Sequence, residues 1–94
     1  MITHIVLVKL KDRGLQNIEY FQDLLTALNG KIPTLLSLRV ERDIVHSERA
    51  YDFVIVATFN DLEGLKAYQS HPAHTPVVDE LKRRAESMAV VDHE

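Results

Sequence analysis

Residues suited to acid–base chemistry are concentrated in one short segment, "YQSHPAHTPVV", which spans residues 68–78. The segment holds two of the five histidines and two of the three prolines of the chain. His74 comes just before the start of a predicted helix, whose positive end favours a neutral imidazole. A neutral histidine with a pKa of about 6.5 can remove an acidic proton that is flanked by carbonyl groups. The alternative is structural: His74 fills a hinge and hydrogen-bonds backbone groups that Pro72 and Pro76 leave unpaired.

Tyr68 and His4 are the other two candidates for a catalytic site. Tyr68 lies on the apolar stripe of its predicted helix, so its ring should face the sheet. Its hydroxyl then needs a partner, either a backbone carbonyl or the carbonyl of a substrate. His4 has the same strand parity as Val6 and Val8, and a polar ring on an apolar face has to be hydrogen-bonded or line a cavity. If Tyr68, His74 and His4 converge, they form a small pocket; rings too far apart for one substrate to bridge would exclude an enzyme.

Metal, nucleophile and phosphate sites find less support in the sequence. His71 and His74 have a His-x-x-His spacing, but Pro72 disfavours a continuous helix there and no third ligand is evident. Because the chain has no cysteine, thiol chemistry, disulfides and Cys-based zinc sites are excluded. The serines lack a nucleophile-elbow context, and three glycines do not make a phosphate-binding loop. We therefore predict no metal and no cofactor.

Length and composition indicate a single soluble domain, which we assign to residues 1–94. Apolar residues make up 46% of the chain, which is sufficient for a core. The net charge is −3 and the basic residues are scattered, so no nucleic-acid partner is predicted. The apolar run near the N-terminus is only four residues long, and no stretch approaches the roughly 20 apolar residues of a membrane span. We expect a cytoplasmic protein without a membrane partner.

Hydrophobic patterning predicts four β-strands, at residues 2–10, 37–45, 51–59 and 88–92. The first and third are rich in β-branched residues and apolar on both faces, which is typical of strands that are covered on both sides. In the second strand Leu38, Val40 and Ile44 alternate with polar residues, as they do in a strand with one exposed face.

Helices are predicted between these strands. Apolar residues recur at intervals of three and four in the first helix, at Leu15, Ile18, Phe21, Leu25 and Leu28. Asn29-Gly30 should end that helix. Asn60 and Glu63 have the spacing of a capping box at the start of the second helix. The second helix should end near His71, because a residue before proline is displaced from the helical region.

A further helix is predicted after the proline-rich segment. Thr75 is expected as its N-cap, with Pro76 at the first helical position. The apolar stripe of this helix consists of Val77 or Val78, Leu81, Ala85 and Met88.

The element order β-α-β-β-α-β predicts a ferredoxin-like α+β fold, with an antiparallel four-stranded sheet, helices on one face and the second helix broken. Apolar residues on the helix-free face need a cover, and a second copy of the chain is the simplest one. We predict a homodimer in which two sheets pack face to face into a dimeric α+β barrel and hide their edges. The alternative is that helix stripes and strand faces cover each other within a monomer.

The segments "HIVLVKLK" and "YDFVIVATFNDLEGLKAYQSHPAH" resemble the stress-responsive α/β-barrel domain family, Dabb, of the dimeric α+β barrel superfamily. The resemblance covers essentially the whole chain, and its most specific element is Tyr-x-x-His-Pro-x-His at residues 68–74. It implies the dimeric barrel fold, whereas most members have no established reaction. A few relatives are polyketide cyclases of the olivetolic acid cyclase type, and others are heat-stable oligomers or small oxygenases. In the cyclases a tyrosine and a histidine of this segment, near a histidine of the first strand, promote an aldol condensation; Tyr68, His74 and His4 match them.

Two hypotheses of different classes follow for the function. The first is a homodimeric Dabb protein that binds a small molecule or is associated with stress, without assigned chemistry. The second is a cofactor-independent cyclase or lyase that uses Tyr68 and His74 as an acid/base pair on a polyketide-like or dicarbonyl substrate. A cofactor-free oxygenase is a third option, but no residue of the sequence singles it out.

Overall fold

Four strands and three helices make up the computed structural model, which describes residues 1–94. In chain order they are β1 (Ile2–Leu10), α1 (Leu15–Thr26), β2 (Ser37–Arg42), β3 (Phe53–Phe59), α2 (Leu62–Ser70), α3 (Thr75–Arg84) and β4 (Ala85–His93). The strands form one sheet in the order β2-β3-β1-β4, and every neighbouring pair is antiparallel. The predicted ferredoxin-like α+β fold is confirmed, and α2 and α3 are the two parts of the broken second helix.

The alternation of β1 and β3 decides which side chains enter the core. Val6, Val8 and Leu10 are buried beneath the helices, and His4 shares their face as its strand parity predicted. Every second residue of β3 is buried on the same side: Phe53, Ile55, Ala57 and Phe59. The core therefore lies between one face of the sheet and the helices.

The opposite face of the sheet carries no helix and is also apolar. Ile5 pairs with Val56 on one side and Val91 on the other, and Leu7 pairs with Val54 and Ala89. These side chains share a face because cross-strand partners point to the same side of a sheet. Leu7 is 38% exposed and Val91 is 61% exposed, so a single chain leaves this face open to water.

The second strand is shorter than its alternation predicted. It ends at Arg42, and Ile44, which was expected on the buried face, is 86% exposed, so that prediction is wrong. The chain turns at Asp43, whose N–H donates to the carbonyl of Asp52 and whose carboxylate accepts the N–H of His46. Turn hydrogen bonds thus outweigh the apolar pattern beyond residue 42.

The helix starts differ from their predicted positions by one residue. The N-cap of α2 is Asp61 and not Asn60; its carboxylate accepts the N–H of Gly64 at 2.8 Å. Thr75 is the first residue of α3 and not its cap, because its N–H already donates to the carbonyl of His71 at 3.1 Å. His74 occupies the N-cap position without a side-chain capping bond.

The junction of α3 and β4 is the largest departure from the predicted elements. Ala85 and Met88 fit the helical spacing, yet both belong to β4, which pairs with β1 from Leu10 to Thr3. The N–H of Lys11 donates to the carbonyl of Arg84 at 2.9 Å and starts this pairing. A full ladder along β1 satisfies more backbone groups than one extra helical turn would.

Side chains also fix the connections between elements. Asn29, in the turn after α1, accepts the N–H of Leu38 and donates to its carbonyl, which holds the start of β2. The buried carboxylate of Asp52 accepts the N–H of Leu10 at 2.7 Å and the Nε–H of Arg13 at 2.8 Å. Asp52 therefore ties the entry of β3 to the end of β1.

None of the three helices is both long enough and apolar enough to cross a membrane.

Candidate functional site

The short connection between α2 and α3 determines where the candidate side chains lie. His71 follows α2 with an extended backbone, as a residue before proline should, and its Nδ1 accepts the N–H of Ala73 at 3.0 Å. The N–H of His74 donates to the carbonyl of His71 at 2.9 Å. His71 and His74 share the local hydrogen bonding, because the His74 imidazole also contacts a backbone carbonyl at the hinge, that of Gln69. This contact is the one that the structural alternative expected of His74.

The structure brings all three candidate rings together beneath the helices. The ring centroids of Tyr68 and His74 are 4.2 Å apart, and those of His4 and Tyr68 are 6.3 Å apart. Tyr68 lies between the two histidines and packs against Phe59 of β3. The distances are short enough for one small molecule to contact all three side chains, which therefore stay candidates for one site.

The His74 imidazole is held in one tautomer by a backbone carbonyl. Its Nδ1 lies 3.3 Å from the carbonyl oxygen of Gln69, which can only accept, so Nδ1 carries the proton and the Nε2 lone pair is free. Burial lowers the pKa of His74 below 6.5, and electrostatic interactions with His4 and Lys82 act in the same direction, while the hydrogen bond to Gln69 and the charge of Asp79 oppose them. His74 is therefore a neutral base at neutral pH.

His4 has an acidic partner that was not predicted from the sequence. Its Nδ1 contacts the carboxylate of Asp92, which lies directly opposite His4 in the pairing of β1 with β4. The carboxylate accepts the Nδ1 proton, which leaves the Nε2 atom of His4 without a partner in the chain. A strand was predicted at the end of the chain, but only its register against β1 places Asp92 beside His4.

Tyr68 supplies a phenol and not a phenolate. Its side chain is 2% exposed, and burial raises the pKa of Tyr68 to about 12. Its hydroxyl makes no hydrogen bond within the chain, and its oxygen is not sealed off by protein. The group is a hydrogen-bond donor that only a molecule in the adjoining space can use.

That space is a cavity of about 320 Å³ between the sheet and the helices, which contains His4, Tyr68 and His74 in its wall. Its volume is at the lower end of the range for small-molecule sites. Most of the remaining wall is apolar, from side chains of β1, β3, β4, α1 and α3 that include Val6, Leu25, Ile55, Leu81, Met88 and Val90. The cavity thus combines two imidazoles and one phenol donor with an apolar surround.

A larger depression of about 600 Å³ lies apart from these rings, on the helix-free side near the β2–β3 loop. Leu7, Val45, Tyr51 and Val54 are in its wall, and it contains no histidine. Size alone would favour it as the ligand site, and Glu41 and Asp43 are in its wall, but the three candidate side chains are all in the smaller cavity. No group of three or more His, Cys, Asp or Glu side chains is arranged to hold a metal ion.

The antiparallel sheet, the divided helix and the enclosed histidine–tyrosine–histidine cluster define an α+β domain with a cavity of ligand size. Residues 2–94 match the Stress responsive A/B Barrel Domain, Dabb, and the chain belongs to that family. The resemblance expected from the sequence is confirmed.

Individual relatives match this chain over nearly their whole length. Uncharacterized protein SCO4036 of Streptomyces coelicolor is 36% identical over 101 residues, with 100% of this chain and 99% of that protein covered. Olivetolic acid cyclase of Cannabis sativa is 25% identical over 96 residues, with 98% and 94% covered. A dimeric protein of unknown function with a ferredoxin-like fold, from Bacteroides fragilis, has a TM-score of 0.87 at 30% identity; 99% of this chain and 94% of that chain are covered.

Proposed function

We propose that the protein is a homodimer and that the cavity around Tyr68 binds a small, largely apolar molecule with a carbonyl group. The observation that carries the proposal is the Tyr68 hydroxyl: the residue is buried and its phenol is protonated, but the hydroxyl has no partner in the chain and its oxygen is accessible from the cavity. A buried polar group costs free energy unless it is hydrogen-bonded. A ligand carbonyl accepts from the phenol, while the apolar wall takes up the rest of the molecule.

A ligand screen by thermal shift tests the proposal on wild type, Tyr68→Phe and His74→Ala, with His93→Ala as a control because His93 is exposed and outside the cavity. Bound ligand stabilises by about 2.7 kcal/mol at a hundred times Kd, so weak binding registers at excess. We expect ketones and 1,3-dicarbonyl compounds to raise Tm in wild type and in the control, and less in the two cavity variants. The proposal would be contradicted if no ligand raised Tm, or if the Tm shifts were the same in wild type and in both cavity variants.

The helix-free face is the proposed dimer interface. Its apolar side chains, which include Ile5, Leu7, Val54 and Val91, are uncovered in a single chain. A second copy would cover them and the depression beside the β2–β3 loop together. The dimeric state of the relative from Bacteroides fragilis supports this arrangement. The cytoplasmic location and the absence of a nucleic-acid partner stay predictions from the sequence.

A cofactor-independent cyclase or lyase is the second candidate, favoured by the free Nε2 atoms of His4 and His74 beside the Tyr68 phenol. His74 would remove a proton from the carbon next to a carbonyl, and Tyr68 would donate to the oxygen of the resulting enolate. The enolate carbon would attack a second carbonyl, and the new alkoxide would take the proton back from the His74 imidazolium. Olivetolic acid cyclase, 25% identical to this chain, supports the comparison with cyclases.

Hydrogen–deuterium exchange at the acidic carbon of a 1,3-diketone, followed by NMR in D₂O, tests the proton-transfer step without knowledge of the natural substrate. General-base catalysis typically contributes a factor of about 10² or more. The wild type should therefore accelerate exchange, and His74→Ala should lose most of that acceleration. If wild type and His74→Ala gave the same exchange rate, the enzyme hypothesis would be rejected and the binding proposal would be unaffected.

A further inference from the structure

Lys82 is the only Lys, Arg, Asp or Glu residue in the wall of the cavity. It lies in the last turn of α3 and is exposed, and its ammonium group pairs with no carboxylate of the chain. Arg84, two residues on, is by contrast fixed by Glu80 and Asn17. Cations in the last turn of a helix are favoured by its dipole, which accounts for a basic residue at position 82. The dipole does not account for an unpaired cationic residue in the wall of an apolar cavity.

The cavity therefore has a chemical polarity along its depth. Its inner end holds Tyr68 and His74, which are buried and uncharged. Gln69 and Lys82 are exposed residues of the wall, so the cavity reaches solvent beside them, while most of the remaining wall is apolar. Asp79, one turn before Lys82, is an exposed carboxylate, but it is not part of the wall and makes no ion pair with Lys82. A neutral apolar ligand would leave the Lys82 ammonium group without an anionic partner.

We propose that Lys82 binds an anionic group of the ligand at the mouth of the cavity, so that the preferred ligands are amphipathic carboxylates with an apolar chain directed inwards. This inference rests on the proposed binding function of the cavity and adds the charge of the ligand to it. A molecule of this class places its carboxylate in partial contact with water, where an ion pair needs no full desolvation. Its chain covers the apolar wall, and a carbonyl at its far end reaches Tyr68.

Octanoate and octanamide are matched probes, because they share a chain and differ in the charge of the head group. Binding is measured by calorimetry on the intact protein, and the site is located by NMR shifts of residues in the cavity wall. We compare wild type with Lys82→Gln and Lys82→Arg, and with Lys66→Gln as a control, since Lys66 is exposed on α2 and outside the wall. Lys82 is also exposed, so its substitution leaves the core unchanged.

We expect octanoate to bind wild type about fivefold more tightly than octanamide, the upper end for a partly exposed ion pair. The preference should persist in Lys82→Arg and Lys66→Gln, disappear in Lys82→Gln, and decline with added salt. Equal binding of both probes by wild type, or an unchanged preference in Lys82→Gln, would overturn the role of Lys82 and leave the binding function standing. No octanoate binding at the cavity would also overturn it, whereas the ligand screen judges the binding function separately.

Discussion

His74 is a buried base, and its environment makes a pH-dependent prediction at the scale of one residue. Because burial lowers the pKa of His74 in the folded protein, the unfolded chain binds a proton near pH 6.5, whereas the folded protein binds it only at lower pH. The free energy of unfolding should therefore fall as the pH drops below 6.5, and it should fall less steeply in His74→Gln. Urea unfolding between about pH 7 and pH 5 measures both slopes.

An NMR titration of the imidazole resonances provides the direct check, with a His74 midpoint expected below 6.5. His93→Gln serves as the control for loss of an exposed histidine. Equal slopes in His74→Gln and wild type, together with a midpoint at or above 6.5, would show that His74 is not buried as a neutral group.

Removal of the Tyr68 hydroxyl separates a structural role from a binding role. A tyrosine whose hydroxyl is paired within the protein loses about 1 kcal/mol on substitution by phenylalanine. Since the Tyr68 hydroxyl has no partner in the chain, Tyr68→Phe should leave the free energy of unfolding within about 0.5 kcal/mol of wild type, or raise it. Chemical denaturation measures this, and a loss of 1 kcal/mol or more would indicate a structural hydrogen bond instead.

Among the elements, the connection between β1 and β3 depends on one buried carboxylate. Asp52 accepts the N–H of Leu10 and the Nε–H of Arg13, so Asp52→Ala leaves both donors without their acceptor. Hydrogen bonds to charged groups contribute about 1.5–3 kcal/mol each, and Arg13 can regain water. We expect a loss of about 2 kcal/mol in the free energy of unfolding by urea denaturation. Asp23→Ala, at an exposed position of α1, should change it by less than about 0.5 kcal/mol.

The elements also show what a single sequence can predict. Runs of β-branched and apolar residues identified β1 and β3, and the two-residue period of a strand placed His4 on the buried face. Strand alternation failed at Ile44, where a turn ends the strand, and helical spacing failed at Ala85, where pairing with β1 prevails. Met88 fitted both the helical stripe and the predicted last strand, and it belongs to the strand. Local periodicity does not contain the hydrogen bonds that distant segments offer.

The sequence likewise predicted only part of the candidate site. Tyr68 and His74 were found because they lie close together in the chain, and His4 because a polar residue interrupted an apolar face. Asp92 was missed because its contact with His4 joins residues 88 positions apart and depends on the register of two strands. The cavity and the position of Lys82 at its opening likewise require the packed structure.

For the whole molecule, the helix-free face predicts the state of assembly. Leu7→Glu places a charge in the middle of the apolar surface formed by β1, β3 and β4, and burial of an unpaired charge is costly. We expect wild type to be a dimer by size-exclusion chromatography with light scattering, and Leu7→Glu to dissociate at micromolar concentration. Leu62→Glu, at an exposed position on α2, should remain a dimer. A monomeric wild type would contradict the proposed interface.

The two closest rings of the site belong to different helices, Tyr68 to α2 and His74 to the start of α3. Their 4.2 Å separation is therefore set by the angle at which the chain bends around Pro72 and Ala73. A substitution at the bend can move one ring away from the other while both side chains are retained. Among related sequences, the presence of the tyrosine and the histidine is thus insufficient evidence of shared reactivity, and the residues of the bend deserve equal weight when homologues are sorted.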